Sequence, residues 1–163
     1  KNILKIINKF KGLKFRQEII YKSKKATIIN DSKATSFASS INLLKSLQKV
    51  FWLVGGVPKL GDKFTLKKNE CKNINAYIFG KKQNFFAKQF KNKLSFYCFK
   101  SLKEAIQKIL TDVKNSSNSN LHKTILFSPS AASFDNFNNF EERGEYFNFL
   151  LKKYKVKKII NDF

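Results

Sequence analysis

Short apolar runs alternate with longer amphipathic stretches along the chain. Seven runs rich in β-branched and aromatic residues have the length of strands and are bounded by polar or glycine-containing turns. Between them, apolar residues recur three or four positions apart, a spacing that predicts helices. The predicted strands are 19–22, 26–29, 50–54, 76–79, 94–99, 124–127 and 156–160. The predicted helices are 1–10, 37–47, 81–90, 102–113 and 142–154, with a short helix within 66–73.

This alternation predicts an α/β fold. Strands that alternate with helices are joined by right-handed crossovers, which produce a mostly parallel sheet. The continuous apolar run 50–54 is typical of a parallel strand that is covered on both faces. Strands 19–22 and 26–29 are separated by a short polar gap and predict a hairpin. We therefore expect a three-layer, Rossmann-like domain with about six strands and helices on both faces.

Polar residues mark where two of the predicted helices begin. Ser101 precedes helix 102–113, and Glu104 has the capping-box position three residues later. Ser32 or Thr35 is predicted to cap the helix that starts near residue 37.

The formal net charge of +22 is the feature of the composition that most suggests a partner. A lysine-rich module that binds nucleic acid is therefore the alternative from another functional class. Of the 33 basic residues, however, only Arg16 and Arg143 are arginine, the residue best suited to bidentate phosphate recognition. Lysine, asparagine, phenylalanine and isoleucine are all abundant, as AT-rich coding would produce. We therefore interpret much of the charge as solvated surface and predict no nucleic-acid partner.

Targeting segments and reactive side chains indicate the cellular compartment and the kinds of site to expect. The sequence has no apolar run near the ~20 residues of a membrane span and no signal peptide, so we expect a cytoplasmic protein without a membrane partner. It also has no methionine, and we interpret the chain as part of a larger protein. Cys98 is expected to be buried in strand 94–99 and Cys71 to lie in a loop, while His122 is expected to have a surface or structural role. No metal site is predicted.

Three turns of small and polar residues each follow a predicted strand. Asn-Asp-Ser-Lys-Ala-Thr occupies 30–35, Gly-Gly-Val-Pro-Lys occupies 55–59, and Ser-Pro-Ser-Ala-Ala-Ser occupies 128–133. Loops at the carboxyl ends of parallel strands form the ligand site of open α/β sheets. The sequence thus predicts that the three loops converge at one rim and hold a small anion. An ordinary turn with a phenylalanine plug is the alternative for 128–144, although it leaves Arg143 and Gly144 unexplained.

In order and spacing, these motifs resemble the C-terminal domain of the Mur ligases, in the branch of that family that adds D-glutamate. The resemblance runs from about residue 12 to residue 151. It implies that 13–163 form a C-terminal Mur ligase domain and that 1–12 are a linker or the tail of a preceding central ATPase domain. A Mur ligase that adds a different amino acid remains an alternative.

The resemblance also implies an activity and partners. The reaction is an ATP-dependent ligation in peptidoglycan synthesis that joins D-glutamate to UDP-N-acetylmuramoyl-L-alanine, with ATP and Mg²⁺ as cofactors. The other implied partners are the preceding domains of the same chain, in a monomeric protein. The sequence contains no G-x-x-x-x-G-K-[ST] motif, so the phosphate loop and the magnesium ligands are expected outside this chain.

Finally, the resemblance gives eight residues a role. The residues expected to hold or flank D-glutamate are Thr35, Lys59, Ser133, Phe134 and Phe140, and those expected to contact the nucleotide are Arg16, Asp31 and Lys33. No catalytic residue is expected in this chain. The sequence departs from the family pattern at Phe15, where histidine is usual, and at Ser36, where asparagine is usual.

These roles have structural alternatives. Asp31 has the alternative of capping a helix, and Phe140 that of a core residue. Lys59 is the hardest to explain without a ligand, because a lysine in a glycine-proline turn supports no packing.

Overall fold

The computed structural model of the chain describes residues 12–116 and 121–161. The predicted helix 1–10 lies outside these residues. The strands are β1 (Glu18–Lys22), β2 (Ala26–Asn30), β3 (Lys49–Gly55), β4 (Ile74–Phe79), β5 (Ser95–Phe99) and β6 (Lys123–Phe127). The helices are α1 (Phe37–Ser46), α2 (Gln83–Phe90), α3 (Leu102–Asn115), α4 (Phe140–Lys153) and α5 (Val156–Asn161), with a 3₁₀ turn at Lys68–Cys71.

The six strands form one sheet in the order β1-β2-β6-β3-β4-β5. The β1–β2 pair is antiparallel, which confirms the predicted hairpin, and the other four pairs are parallel. The sheet is therefore the mostly parallel, six-stranded α/β sheet expected from the alternation of elements. None of the helices within 12–116 and 121–161 is long and apolar enough to cross a membrane.

Helices cover both faces of the sheet, and the side chains of β3 show why. Phe51 and Leu53 point to the face covered by α3, α4 and α5, whereas Trp52 and Val54 point to the face covered by α1 and α2. Alternate residues of a strand face opposite sides, so a strand that is apolar at every position has to be central and buried twice. The continuous apolar run of β3 thus accounts for the three layers.

The predicted last strand, 156–160, is wrong. These residues form α5, which packs on the same core as α3 and α4. Val156 and Ile160 are both buried there. Their spacing of four residues places them on one side of a helix, and this outweighs the preference of β-branched residues for strands.

Two local predictions are also corrected. The N-cap of α1 is Ser36, which forms a capping box with Ser39, rather than Ser32 or Thr35. Cys98, predicted to be buried, is exposed on the edge strand β5, whereas Cys71, predicted to lie in a loop, is buried at the end of the 3₁₀ turn. By contrast, the prediction for α3 holds: Ser101 accepts a hydrogen bond from the backbone N–H of Glu104.

Candidate functional site

The carboxyl ends of three central strands meet at one edge of the sheet. β6 lies between β2 and β3, and Phe127 pairs with Asn30 on one side and with Leu53 on the other. The chain leaves these strands through the β2 loop (residues 31–36), the β3 loop (residues 56–60) and the β6 loop (residues 128–139). The three loops predicted to converge therefore begin side by side. We call this the carboxyl-end edge.

A fully buried arginine joins two of these loops. Arg143, near the start of α4, donates from one terminal nitrogen to the carbonyl of Ser32 at 2.7 Å and from the other to the carbonyl of Ala131 at 2.9 Å. Its Nε donates to Ser32 Oγ at 3.2 Å. Burial lowers the pKa of Arg143 to about 10, an effect opposed by the charge of Asp135, so the guanidinium stays charged at neutral pH. Arg143 thus fixes the β2 loop relative to the β6 loop.

The β3 loop is tied to the β6 loop by its backbone. Val57 and Ala132 exchange two N–H···O hydrogen bonds, of 2.8 and 2.9 Å. This close approach requires glycine at position 56, where a Cβ atom would lie 2.3 Å from the carbonyl oxygen of Ala132. Gly56 also has φ of +126°, which side chains disfavour. Gly56, one of the two glycines predicted to let the backbone pass close to a ligand, thus lets it pass close to another loop.

Buried hydroxyl groups connect the β6 loop to α1 and to the β2 loop. Ser40 Oγ lies 2.6 Å from Ser128 Oγ and 2.7 Å from Ser130 Oγ. Ser128 Oγ in turn donates to Asp31 Oδ2 at 2.8 Å. The indole N–H of Trp52 donates to the carbonyl of Ser128 at 2.7 Å, so the first residue of the β6 loop is held from three sides. We call Asp31, Ser128, Ser40 and Ser130 the serine chain.

The three residues expected to contact a nucleotide line one cleft. Arg16, Asp31 and Lys33 surround a space of about 390 Å³ together with Gln17, Ala34 and Ser39. Asp31 accepts from the backbone N–H of Gln17 at 3.1 Å as well as from Ser128. Burial raises the pKa of Asp31 above its usual range, although Ser128, the Gln17 N–H and the charge of Arg16 favour the charged form. The cleft therefore has two cations beside a partly desolvated carboxylate.

The residues expected to hold D-glutamate lie on the same edge but differ in exposure. Lys59 is exposed on the β3 loop, Thr35 is half-buried on the β2 loop, and Ser133 is buried on the β6 loop next to Ala132. Because Ala132 pairs with Val57, the loops that carry Ser133 and Lys59 are in direct contact. The side chain of Phe134 is 74% exposed, so it is not part of the core.

Phe140 connects the two predicted groups. It is the first residue of α4 and is half-buried. The Nζ atom of Lys33 lies 3.6 Å from the centroid of its ring, a cation–π contact. The alternative of a plain core residue is therefore incomplete, because the ring also positions the ammonium group of Lys33 at the cleft beside Asp31.

Of the two departures from the family pattern, Phe15 has a clear structural role. Its side chain is buried and contacts the ring of Phe140 edge-on, with 6.5 Å between centroids. Gly144 makes room for it, since a Cβ there would lie 2.3 Å from the Phe15 ring. Ser36, the second departure, caps α1.

Sequence reasoning missed the residues that hold the loops in place. Arg143, Ser40 and Ser128 were not among the predicted site residues, although Arg143 was singled out as unexplained by a simple turn. The available signal was spacing: Arg143 lies on the same helix face as Phe147 and Leu150, and Ser40 lies on the same face as Phe37 and Leu44. Within 12–116 and 121–161, no group of three or more His, Cys, Asp or Glu side chains is placed to hold a metal ion.

The chain is similar to known ligases. It is 37% identical over 154 residues to the UDP-N-acetylmuramoylalanine–D-glutamate ligase of Rickettsia felis, a match that covers 94% of this chain and 34% of that protein. The enzyme of the same description from Rhizobium meliloti is 31% identical, with 90% of this chain and 31% of that protein covered. That from Prochlorococcus marinus is 35% identical, with 96% and 34% covered. No protein-family model matches the chain.

The matches cover nearly all of this chain but a small part of each relative. The chain spans about a third of the length of the curated relatives it matches. The matched length includes the three loops at the carboxyl-end edge, because nine tenths or more of the chain is aligned in each of these three comparisons.

Proposed function

The chain belongs to the Mur ligase family, and on that premise we propose that it is the C-terminal, amino-acid-binding domain of a D-glutamate ligase. The complete enzyme would use ATP to join D-glutamate to UDP-N-acetylmuramoyl-L-alanine during peptidoglycan synthesis in the cytoplasm. The observation that carries this proposal is the convergence of three separate loops at the carboxyl-end edge, held together by Arg143 and by the Val57–Ala132 pairing. The similarity to ligases of this description supports the choice of amino acid.

D-glutamate carries two carboxylates and an amine, and the site needs groups that hold the acids while the amine stays free to attack. We assign the exposed ammonium group of Lys59 to one carboxylate and the hydroxyl of the buried Ser133 to the same ligand. Phe140 is the first residue of α4, where backbone N–H groups lack intrahelical acceptors and favour an anion. Thr35 adds a second hydroxyl, and Phe134 lies beside the ligand. Hydrogen bonds to charged groups contribute about 1.5–3 kcal/mol each, so a few such contacts suffice for micromolar to millimolar recognition.

We assign the cleft beside Asp31 to the nucleotide. Arg16 and Lys33 supply positive charge for phosphate oxygens, and Asp31 offers a hydrogen-bond acceptor at the same cleft. The ring of Phe140 under Lys33 supports this assignment, because it holds the ammonium group in place. Magnesium does not fit the described residues of this chain, which present no cluster of ligands for it, and we assign its ligands to another part of the enzyme.

In the proposed reaction, ATP phosphorylates the carboxylate of UDP-N-acetylmuramoyl-L-alanine, and the amine of D-glutamate attacks the acyl phosphate. The products are the new amide, ADP and phosphate. This chain would contribute position rather than chemistry, by holding the amine near the acyl phosphate. Orientation of this kind accounts for up to roughly 7–11 kcal/mol of the barrier in well-aligned reactions. By itself, the 163-residue chain is then expected to form no product and to hydrolyse no ATP.

The test is Lys59→Ala in the complete ligase. Loss of one charged contact should reduce kcat/KM for D-glutamate by about 10- to 150-fold, equivalent to about 1.5–3 kcal/mol, while the KM for UDP-N-acetylmuramoyl-L-alanine stays unchanged. Lys72→Ala is the matched control, because Lys72 is an exposed lysine near the start of β4, at the opposite edge of the sheet. Equal kinetics of Lys59→Ala and the control would remove Lys59 from the site.

Two alternatives have simple tests. If another amino acid is the substrate, a panel of D- and L-amino acids will show turnover with that one in place of D-glutamate. If the lysine-rich surface serves nucleic acid, an oligonucleotide will bind below 1 μM at physiological salt with a steep dependence on salt, which the ligase proposal does not expect.

A further inference from the structure

The serine chain begins at one of the two sites proposed above and ends in a loop that contributes to the other. At one end, the carboxylate of Asp31 lines the nucleotide cleft. At the other end, Ser130 belongs to the β6 loop, three residues before Ser133. Ser40, fully buried on α1, is the link between them, since its hydroxyl lies within 2.7 Å of both Ser128 Oγ and Ser130 Oγ.

The number of available protons fixes which group donates in each hydrogen bond of the serine chain. Each serine hydroxyl has one proton to donate, and a charged carboxylate can only accept. Ser128 must therefore give its proton to Asp31, so that Ser40 is the donor in the Ser40–Ser128 contact. The proton of Ser40 is then used, and Ser130 has to donate to Ser40. While Asp31 is charged, all three hydroxyl groups point toward it.

When the hydrogen bonds run in the opposite direction, every hydroxyl group of the serine chain again has an acceptor. If Asp31 takes up a proton from water in the cleft, it can donate to Ser128, which then donates to Ser40, and Ser40 to Ser130. Ser130 still has an acceptor, because its Oγ lies 3.2 Å from the carbonyl oxygen of Ser128. Each proton stays on its own oxygen, and only the hydroxyl groups rotate. Both arrangements satisfy every buried hydroxyl, as buried polar groups require.

We propose that Ser40 is a positioning residue that couples the charge of Asp31, through Ser128, to Ser130 within the β6 loop. The identity of the ligand at each end of the serine chain rests on the proposed function, whereas the coupling depends only on the hydrogen bonds. A nucleotide that changes the charge environment of Asp31 would thereby change the hydrogen bonding of the loop that carries Ser133. The other groups that face Asp31 are Arg16, Lys33 and the N–H of Gln17, and none of them contacts the β6 loop in the described bonds.

The experiment follows the ¹³C resonance of the Asp31 carboxyl carbon against pH in the 163-residue chain, which requires no ligase activity. Ser128→Ala removes the donor and should move the midpoint upward by about one pH unit. Ser40→Ala leaves that donor but removes the group that polarises it, and should move the midpoint upward by about 0.2–0.5 unit. Ser46→Ala, an exposed position on α1, is the control and should leave the midpoint unchanged.

A second readout tests the coupling. In the wild-type chain, the backbone amide resonance of Ser130 should titrate with the midpoint of Asp31. In Ser40→Ala this titration should disappear, and in Ser40→Thr, which keeps the hydroxyl, it should return. If Ser40→Ala does not fold, Ser128→Ala interrupts the same chain and should also uncouple Ser130. The proposal is overturned if Ser130 titrates with Asp31 when either link is absent. Because neither readout involves substrate, a failure of the D-glutamate assignment would appear separately, in the Lys59→Ala kinetics.

Discussion

The polar residues at the carboxyl ends of the strands differ in burial from those at the opposite edge of the sheet, where the strands begin. At the carboxyl-end edge, Asn30, Ser32, Ser128, Ser130 and Arg143 are buried. Arg143 bonds to Ser32 and Ala131, and Ser128 bonds to Asp31, so hydrogen bonds of buried residues join the loops. At the opposite edge, where β4 and β5 begin, a cleft of about 820 Å³ is lined by Lys67, Lys68, Lys72 and Lys93. Three of these lysines are exposed, and Lys93 donates to the carbonyl of Phe64 at 2.7 Å.

The comparison shows that the larger cleft is not the one with buried, hydrogen-bonded polar residues. The lysine-lined cleft has about twice the volume of the cleft beside Asp31, yet its cations are mostly solvated. Burying a charge or a hydroxyl costs free energy unless hydrogen bonds compensate it. The carboxyl-end edge contains several such residues, and their bonds fix the positions of loops. Buried polar groups that hold loops together are therefore the stronger sign of function.

Among the variants that test this difference between the two edges, replacement of Arg143 is expected to have the largest effect on stability. Arg143→Met keeps most of the volume but leaves two buried carbonyl groups and a hydroxyl without their donor. Each unsatisfied buried group costs about 1–3 kcal/mol, so we expect urea unfolding to show a loss of about 3 kcal/mol or more. Lys153→Met, an exposed change on the same helix, should stay within about 0.5 kcal/mol of the wild type. A similar stability for the two variants would mean that Arg143 does not hold the loops.

A smaller effect is expected from the close approach of the β3 and β6 loops. Gly56→Ala places a Cβ against the carbonyl oxygen of Ala132 and should lower the free energy of unfolding by about 2–4 kcal/mol, through contact and backbone strain together. Gly61→Ala is matched to it, because Gly61 also has positive φ, at +76°, but open space around its Cβ. It should cost only about 1 kcal/mol. Thermal or urea unfolding of both variants isolates the free-energy contribution of the contact. Equal losses of stability in the two variants would show that the contact contributes nothing.

The smallest effect concerns the response of the two edges to pH. At the carboxyl-end edge, burial raises the pKa of Asp135, although the nearby N–H groups of Asp135 and Asn136 and the charges of Arg143 and Lys81 favour its charged form. Both carboxylate oxygens are buried, and neither makes a hydrogen bond of good geometry to a described residue. A raised pKa means that the stability from this group is present at low pH and lost as the pH rises. Asp135→Asn should therefore gain stability relative to the wild type as the pH rises above about 4.

Glu70, beside the lysine-lined cleft, should behave in the opposite sense. The hydrogen bond from Lys45, at 2.7 Å, and that from the backbone of Lys67 lower the pKa of Glu70. A lowered pKa gives stability above the usual value that is lost as the pH falls. Glu70→Gln should thus be less stable than the wild type at neutral pH and approach it in acid. Unfolding curves at a series of pH values give the free energy of unfolding of Asp135→Asn and Glu70→Gln relative to the wild type. If both differences changed in the same direction with pH, the predicted contrast between the two edges would be wrong.

Much of the fold could be predicted from the sequence because its signals are local. The apolar run of β3 identified a central strand, and the spacing of apolar residues in α3 and α4 identified amphipathic helices. Where periodicity and composition conflicted, the prediction failed: 156–160 is rich in β-branched residues but carries its buried residues four apart, and it forms a helix. The burial predicted for Cys98 was wrong for a related reason, since burial within a strand depends on whether that strand lies at the edge of the sheet.

For the candidate site, the sequence by itself determined which loops follow strands and which chemical groups they carry, including Lys59, Ser133 and Asp31. It could do so because turn residues and strand ends are local features of the chain. Only the tertiary structure decided that β6 inserts between β2 and β3, which brings these loops together. It also decided that Arg143 and Ser40 turn inward to hold them, because the partners of these two residues lie up to 111 residues away along the chain, where no local pattern can indicate them.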